Sequence, residues 1–149
     1  MANDTMKALL EGMNEDLAHE YAAVIQYRTY ASAVTGPYRQ ELREFFSTEI
    51  PDEMGHAQLL AGKIVALGGR LTVQPAPVKY TDDPREMLAN SLADEEATLV
   101  RYVQRRKQAE EAGEYGLAAD LDDVIADESK HRDALRLMLK RWPENGPRA

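Results

Sequence analysis

The chain has no cysteine among its 149 residues, which excludes a disulfide framework and any thiolate metal site. Any bound metal must therefore be held by carboxylates and imidazoles. No segment approaches the roughly 18 apolar residues that a membrane-spanning helix needs, so no membrane partner is expected. The opening stretch, MANDTMKALLEGMNEDLAHEY, carries acids throughout and has no basic segment followed by an apolar one. It does not read as a secretory signal, and a cytoplasmic protein is expected. Basic residues are in deficit, 18 against 26 acidic ones for a net charge of −8, which argues against a nucleic-acid partner and favours attraction of cations. Solubility alone accounts for most surface acids, so the informative acids are those on buried faces. The length suits a single domain, 1–149, that can bury a core without cross-links.

What is present is helical. Gly36-Pro37, Gly68-Gly69 with the proline-containing stretch 74–84, Gly113, and Pro143 with Gly146 and Pro147 break the sequence into four long segments. Each is rich in Ala, Leu, Glu, Arg and Met with few consecutive β-branched residues, a helical composition. Asp83-Pro84 gives the third a clear start, a capping acceptor followed by a residue preset for the first turn. In the first segment Leu10, Met13, Leu17, Glu20, Val24, Tyr27, Ala31 and Val34 recur in steps of three and four, the seam of a bundle helix. The other seams run through Leu42, Phe46, Glu49, Glu53, His56 and Leu60, then Leu88, Leu92, Glu95, Leu99 and Tyr102, then Leu117, Leu121, Val124, Glu128, His131, Leu135, Met138 and Trp142. Every seam carries a carboxylate.

Sliding the sequence against itself by 75 positions, without a gap, superposes Glu20 on Glu95, Tyr27 on Tyr102, Asp52 on Asp127, Glu53 on Glu128 and His56 on His131. Similarity between amphipathic helices explains matched leucines and alanines but not a shared Glu, Glu-x-x-His and Tyr pattern. Two copies of one helical hairpin are expected, about 5–67 and 84–142, joined by a linker at about 68–83. Glu20 lies 16 residues before Gly36 and Glu53 lies 17 after it, while Glu95 and Glu128 lie 18 before and 15 after Gly113. In an antiparallel pair each couple therefore meets at one level. A linker of about 15 residues, at roughly 3.3 Å each, spans the ~40 Å of a helix and permits a long crossover. The fold class is thus all-α, a four-helix bundle of two antiparallel hairpins.

Four ionised carboxylates at one level of an apolar core cost several kcal/mol each unless their charge is compensated. Two divalent cations balance four glutamates, and two imidazoles complete the ligand set as neutral donors. Glu-x-x-His places both side chains on one helix face about a turn apart. One such motif is weak, but two, with two solitary seam glutamates at repeat-related positions, make a strong pattern. The expected metal residues are Glu20, Glu53, His56, Glu95, Glu128 and His131, and oxygen with nitrogen donors suits iron or manganese, with zinc a competitor. Glu96 adjoins Glu95, but the repeat selects Glu95. Glu49 is an extra seam carboxylate; it either guides ions inward or faces solvent, and Pro51, which removes a backbone donor, favours solvent.

These residues, Glu20 in EYAAVIQY, Glu53 and His56 in DEMGH, Glu95 in LADEEA, and Glu128 and His131 in DESKH, resemble the ferritin-like di-iron carboxylate family over nearly the whole chain. The resemblance is nearest to bacterioferritins, with rubrerythrin-like features in the first and last helices. It implies two iron ions per chain, bridged by Glu53 and Glu128, with Glu20 and His56 completing one ion and Glu95 and His131 the other. It also implies that Tyr27, Tyr102, Asp52 and Asp127 orient those ligands, although tyrosine commonly fills cores as well. Met54, inside DEMGH, stands where bacterioferritins carry a haem-ligating methionine, which raises haem as a cofactor; interface or core packing is the commoner role of such a residue. After His131 the sequence holds 18 residues ending in RWPENGPRA, so the short fifth helix of bacterioferritin cages is not expected. Without cysteine, a rubredoxin-type relay is excluded. The implied activity is ferroxidase-type oxidation of Fe(II) by oxygen or hydrogen peroxide, in iron storage or detoxification, by a homo-oligomer of at least two chains. A peroxidase or oxygenase with an external electron donor, and a non-catalytic metal-binding or cargo protein, are the alternatives.

Overall fold

A computed structural model describes residues 2–143; Gly146, Pro147 and the rest of the C-terminal tail lie outside the described residues. Four helices follow in order, α1 (Ala2–Ala33), α2 (Arg39–Ala66), α3 (Pro84–Glu111) and α4 (Tyr115–Lys140). The breakers act where their chemistry dictates. Gly36 and Gly113 take φ of 99° and 78°, the left-handed region that only glycine enters without strain, and each turns the chain into the next antiparallel helix. Asp83 accepts from the Arg85 backbone N–H at 3.2 Å, with Pro84 in the first turn, so α3 begins where capping logic places it.

α1 packs along α2 and α3 along α4, and the hairpins meet through α1 with α3 and α2 with α4. The intervening segment has no regular structure yet is tied to α1. Asn14 holds the Arg70 carbonyl and the Thr72 N–H, and the Ala76 N–H donates to the Ala18 carbonyl at 2.9 Å. It is the expected crossover.

The core divides into two apolar halves. Leu9, Met13, Leu17, Leu60, Ile64, Leu117 and Leu121 form one, and Tyr30, Val34, Leu42, Phe46, Leu88 and Leu135 form the other. Burying each large side chain stabilises by about 1.5–3 kcal/mol. Between the halves lies the polar layer that the seams marked.

α2 runs unbroken through Pro51. Pro51 sits on the exposed side of the helix, where loss of one backbone hydrogen bond is compensated by solvent. The expectation that Pro51 turns Glu49 to solvent is therefore overturned: Glu49 is only 6% exposed, because an unbroken helix keeps it on the seam with Glu53 and His56. A second unforeseen feature ties α1 to α3. Arg105 donates to Asp16 through Nε at 2.7 Å and Nη2 at 3.2 Å. Burial raises the Asp16 pKa, and the contact with Arg105 opposes that rise. Gly12 makes room for the guanidinium, since a Cβ there would lie 1.8 Å from Arg105 Nη1.

Candidate metal centre

All six residues marked by the repeat converge at mid-bundle, none more than 6% exposed. Glu20 comes from α1, Glu53 and His56 from α2, Glu95 from α3, and Glu128 and His131 from α4. Glu20, Glu53, His56 and Glu128 each offer one ligand atom within 4.8 Å of the others, and Glu49, Glu53, Glu95 and His131 do the same. The two groups share Glu53.

His56 Nδ1 lies 2.9 Å from Glu128 and 3.7 Å from both Glu20 and Glu53. His131 Nδ1 lies 3.5 Å from Glu53, 3.7 Å from Glu95 and 3.9 Å from Glu128. The arrangement is a pair of adjoining pockets, each with one imidazole and several carboxylate oxygens, with Glu53 and Glu128 between them.

Despite these approaches, Glu20 Oε2, Glu53 Oε1, Glu95 Oε2, both Glu128 oxygens and Nδ1 of both histidines have no aligned hydrogen-bond partner. Buried polar atoms are ordinarily satisfied, and orphaning so many at one point is costly. Cations placed among them satisfy these lone pairs and the charge together. The donor set of carboxylate oxygens with one imidazole per group fits iron, manganese or zinc.

The protonation equilibria carry the same strain. Burial raises the Glu20 and Glu53 pKa values, and repulsion from Glu128 pushes in the same direction. At His56 burial acts downwards, but contact with Glu128 and Glu20 outweighs it and lifts the pKa to about 10. At His131 burial is likewise outweighed, by Glu49 and Glu53, and the pKa reaches about 11. In the metal-free site these shifts favour proton binding by both histidines and by Glu20 and Glu53.

A second ring of groups touches these residues. Tyr102 donates to Glu20 at 2.7 Å and Tyr27 donates to Glu95 at 2.8 Å; each tyrosine thus reaches a glutamate of the other hairpin. Tyr27 also packs 6.0 Å from the ring of Phe46. The aspartates cross over as well. Asp127 of α4 lies 3.3 Å from Nε2 of His56 on α2, and Asp52 of α2 lies 3.1 Å from Nε2 of His131 on α4.

Glu49 adds what the sequence reading missed. Its Oε2 lies 2.9 Å from His131 Nε2, so His131 is held on its outer side by two carboxylates and His56 by one. The repeat-related position is Val124, which makes the centre unsymmetrical. The 3–4 spacing that put Glu49 on the seam was the available signal. Glu96 faces solvent and pairs with Arg136 at 3.2 Å, leaving Glu95 inside. Met54 is 57% exposed and lines an outer apolar groove with Tyr21, Ile25 and Val73, so it does not pack in the core of its own chain.

Comparison with known proteins agrees with this geometry. The ferritin-like domain profile matches residues 10–144. A bacterioferritin from Rhodobacter capsulatus is 27% identical over 140 residues, covering 93% of this chain and 87% of the relative. One from Desulfovibrio desulfuricans is 30% identical over 129 residues, covering 86% and 72%. Among solved structures, ferritin-like, diiron-carboxylate proteins from Bacillus anthracis superpose with a TM-score of 0.89 at 47% identity, covering 91% of this chain and 97% of that one. With four helices, a crossover and a buried carboxylate and histidine centre able to hold metal, the chain belongs to the ferritin-like family.

Proposed function

We propose that this protein binds two iron ions and acts as a ferroxidase, oxidising Fe(II) with dioxygen or hydrogen peroxide in iron storage or detoxification. The observation that carries the reading is the pair of buried ligand groups sharing Glu53. Glu20 with His56 would hold one ion and Glu95 with His131 the other, with Glu53 and Glu128 between them. Paired iron supplies two one-electron oxidations, which match the two electrons and two protons that turn hydrogen peroxide into two waters.

The chain's own contribution is electrostatic and positional. Glu20, Glu53, Glu95 and Glu128 offset the charge of two divalent ions. His56 and His131 release their protons as ions enter, and Asp52, Asp127 and Glu49 fix the imidazole rings from outside. Tyr27 and Tyr102 each occupy one oxygen of a terminal glutamate, so that the other oxygen is turned to the centre. The apolar halves above and below exclude water from the layer.

The likeness to bacterioferritins and to diiron-carboxylate proteins supports iron as the metal. We further place the protein in the cytoplasm, a reducing compartment where Fe(II) persists, as a homo-oligomer of at least two chains; the exposed apolar groove around Met54 supports self-association. The test is metal analysis with light scattering, followed by stopped-flow oxidation of added Fe(II). Two irons per chain with rapid turnover support the proposal. Metal content near zero after iron-replete growth, unchanged by anaerobic Fe(II), overturns it, and turnover that demands an added reductant moves the reading to a peroxidase or oxygenase.

A further inference from the structure

Beside the centre lies a cavity of about 220 Å³, between α1, α3 and the crossover. At its inner end are Glu53, Glu95 and Tyr27; the crossover roofs it with Pro77 and Lys79. A water's share of liquid volume is about 30 Å³ and drug-sized ligands take roughly 300–1,000 Å³, so the space admits molecules of a few atoms and rejects bulky ones.

The roof is fixed. Lys79 is tied at three points: its N–H donates to Gln26 Oε1 at 3.1 Å, its carbonyl accepts from Tyr30 at 2.6 Å, and its Nζ meets Asp94 at 2.9 Å. Gln26 also donates to Asp94 at 2.7 Å. On its crossover side the cavity is therefore framed by a hydrogen-bonded latch joining α1, α3 and the crossover. Its mouth is electrically balanced, one lysine against one aspartate. The opposite side of the centre differs, because half-exposed Asp52 and Asp127 carry no lysine or arginine partner among the described residues. A balanced mouth gives no attraction to a divalent cation but no barrier to an uncharged molecule.

We propose that this cavity is the port by which a small uncharged oxidant, dioxygen or hydrogen peroxide, reaches the metal centre, with the Gln26–Asp94–Lys79 latch as its frame. The inference rests on the ferroxidase reading. Thr98 and Ala23, partly buried at the cavity wall, are the positions at which to close it.

The experiment compares the unmodified protein with Thr98→Trp and, separately, Ala23→Trp, so that a folding failure in one leaves the other. Circular dichroism and Co(II) titration check fold and metal sites. Association of nitric oxide with the anaerobic Fe(II)-loaded protein, and Fe(II) oxidation by dioxygen and by peroxide in separate arms, read the port. A plugged cavity is expected to slow nitric oxide association and both oxidations by at least about tenfold while Co(II) stoichiometry stays unchanged. Slowing in only one oxidant arm identifies that oxidant as the user of the port. Unchanged nitric oxide association in a folded, Co(II)-binding plugged variant overturns the port and leaves the metal reading standing. Failure of the unmodified protein to bind Co(II) or Fe(II) overturns the metal reading itself, and the port with it.

Discussion

Metal binding at this centre should be strongly coupled to proton release. His56 and His131 have pKa values of about 10 and 11 in the metal-free protein, the depressing effect of burial being outweighed by carboxylate contacts. Both rings are therefore protonated throughout pH 6 to 8, and each must lose its proton before its nitrogen can ligate an ion. One competing proton per ion makes apparent affinity rise about tenfold per pH unit, or ~1.4 kcal/mol per ion. Across those two pH units the product of the two binding constants should rise by about four orders of magnitude. Glu20 and Glu53, whose pKa values are also raised, can add to the slope but cannot reverse it. Co(II) titration by calorimetry, in buffers of different ionisation enthalpy, measures the released protons directly. At least about two per pair of ions are expected near pH 7, and about one fewer in His131→Gln. Release near zero, or affinity independent of pH, would refute this charge arrangement.

Other consequences are simpler. Glu53 is common to both ligand groups, so Glu53→Gln should abolish paired binding whereas Glu20→Gln should spare one ion; the same Glu53→Gln change should stabilise the metal-free protein by about 1–3 kcal/mol, read by urea denaturation, because it removes a carboxyl group whose ionisation burial, Glu20 and Glu128 oppose. Arg105→Ala removes the hydrogen-bonded partner of the buried Asp16 carboxylate and leaves it only Arg101 at 3.6 Å, which should cost up to about 3 kcal/mol, whereas Arg105→Met with Asp16→Leu should recover much of the loss in the same assay. Metal-free protein should lose stability as pH rises. The raised histidine pKa values give stability that is full below pH 6.5 and lost through about 10 to 11, and the raised glutamate values act with the same sign from lower pH upward, so melting temperature should fall steadily between pH 8 and 11. A Soret band in protein expressed with haem supplied, lost in Met54→Leu, would establish haem at that face; its absence removes haem as a cofactor.

The seams were legible because side chains three and four residues apart share a helix face whatever the helix packs against. That local rule placed Glu20, Glu95 and both Glu-x-x-His pairs on buried faces, and the exact repeat distance set them at one height. Glu49 obeyed the rule too; weighing Pro51 as a helix breaker obscured it, since the cost of a proline depends on whether the freed carbonyl meets solvent. Asp16 with Arg105 had no such signal. The repeat pairs them with Ser91 and Tyr30, so self-comparison hides rather than reveals the contact, and only the docking of α1 on α3 brings them together.

By itself the sequence determined the four helical segments and their breakers, most of the apolar seams, and that four carboxylates and two imidazoles share one level. Tertiary structure alone decided the partners. Tyr27 reaches Glu95, Tyr102 reaches Glu20, Asp52 reaches His131 and Asp127 reaches His56, every one across the junction between hairpins. Such pairings depend on the rotation and offset of one hairpin against the other, which are set by side-chain packing over the whole interface. Helical periodicity within a single segment holds no record of them.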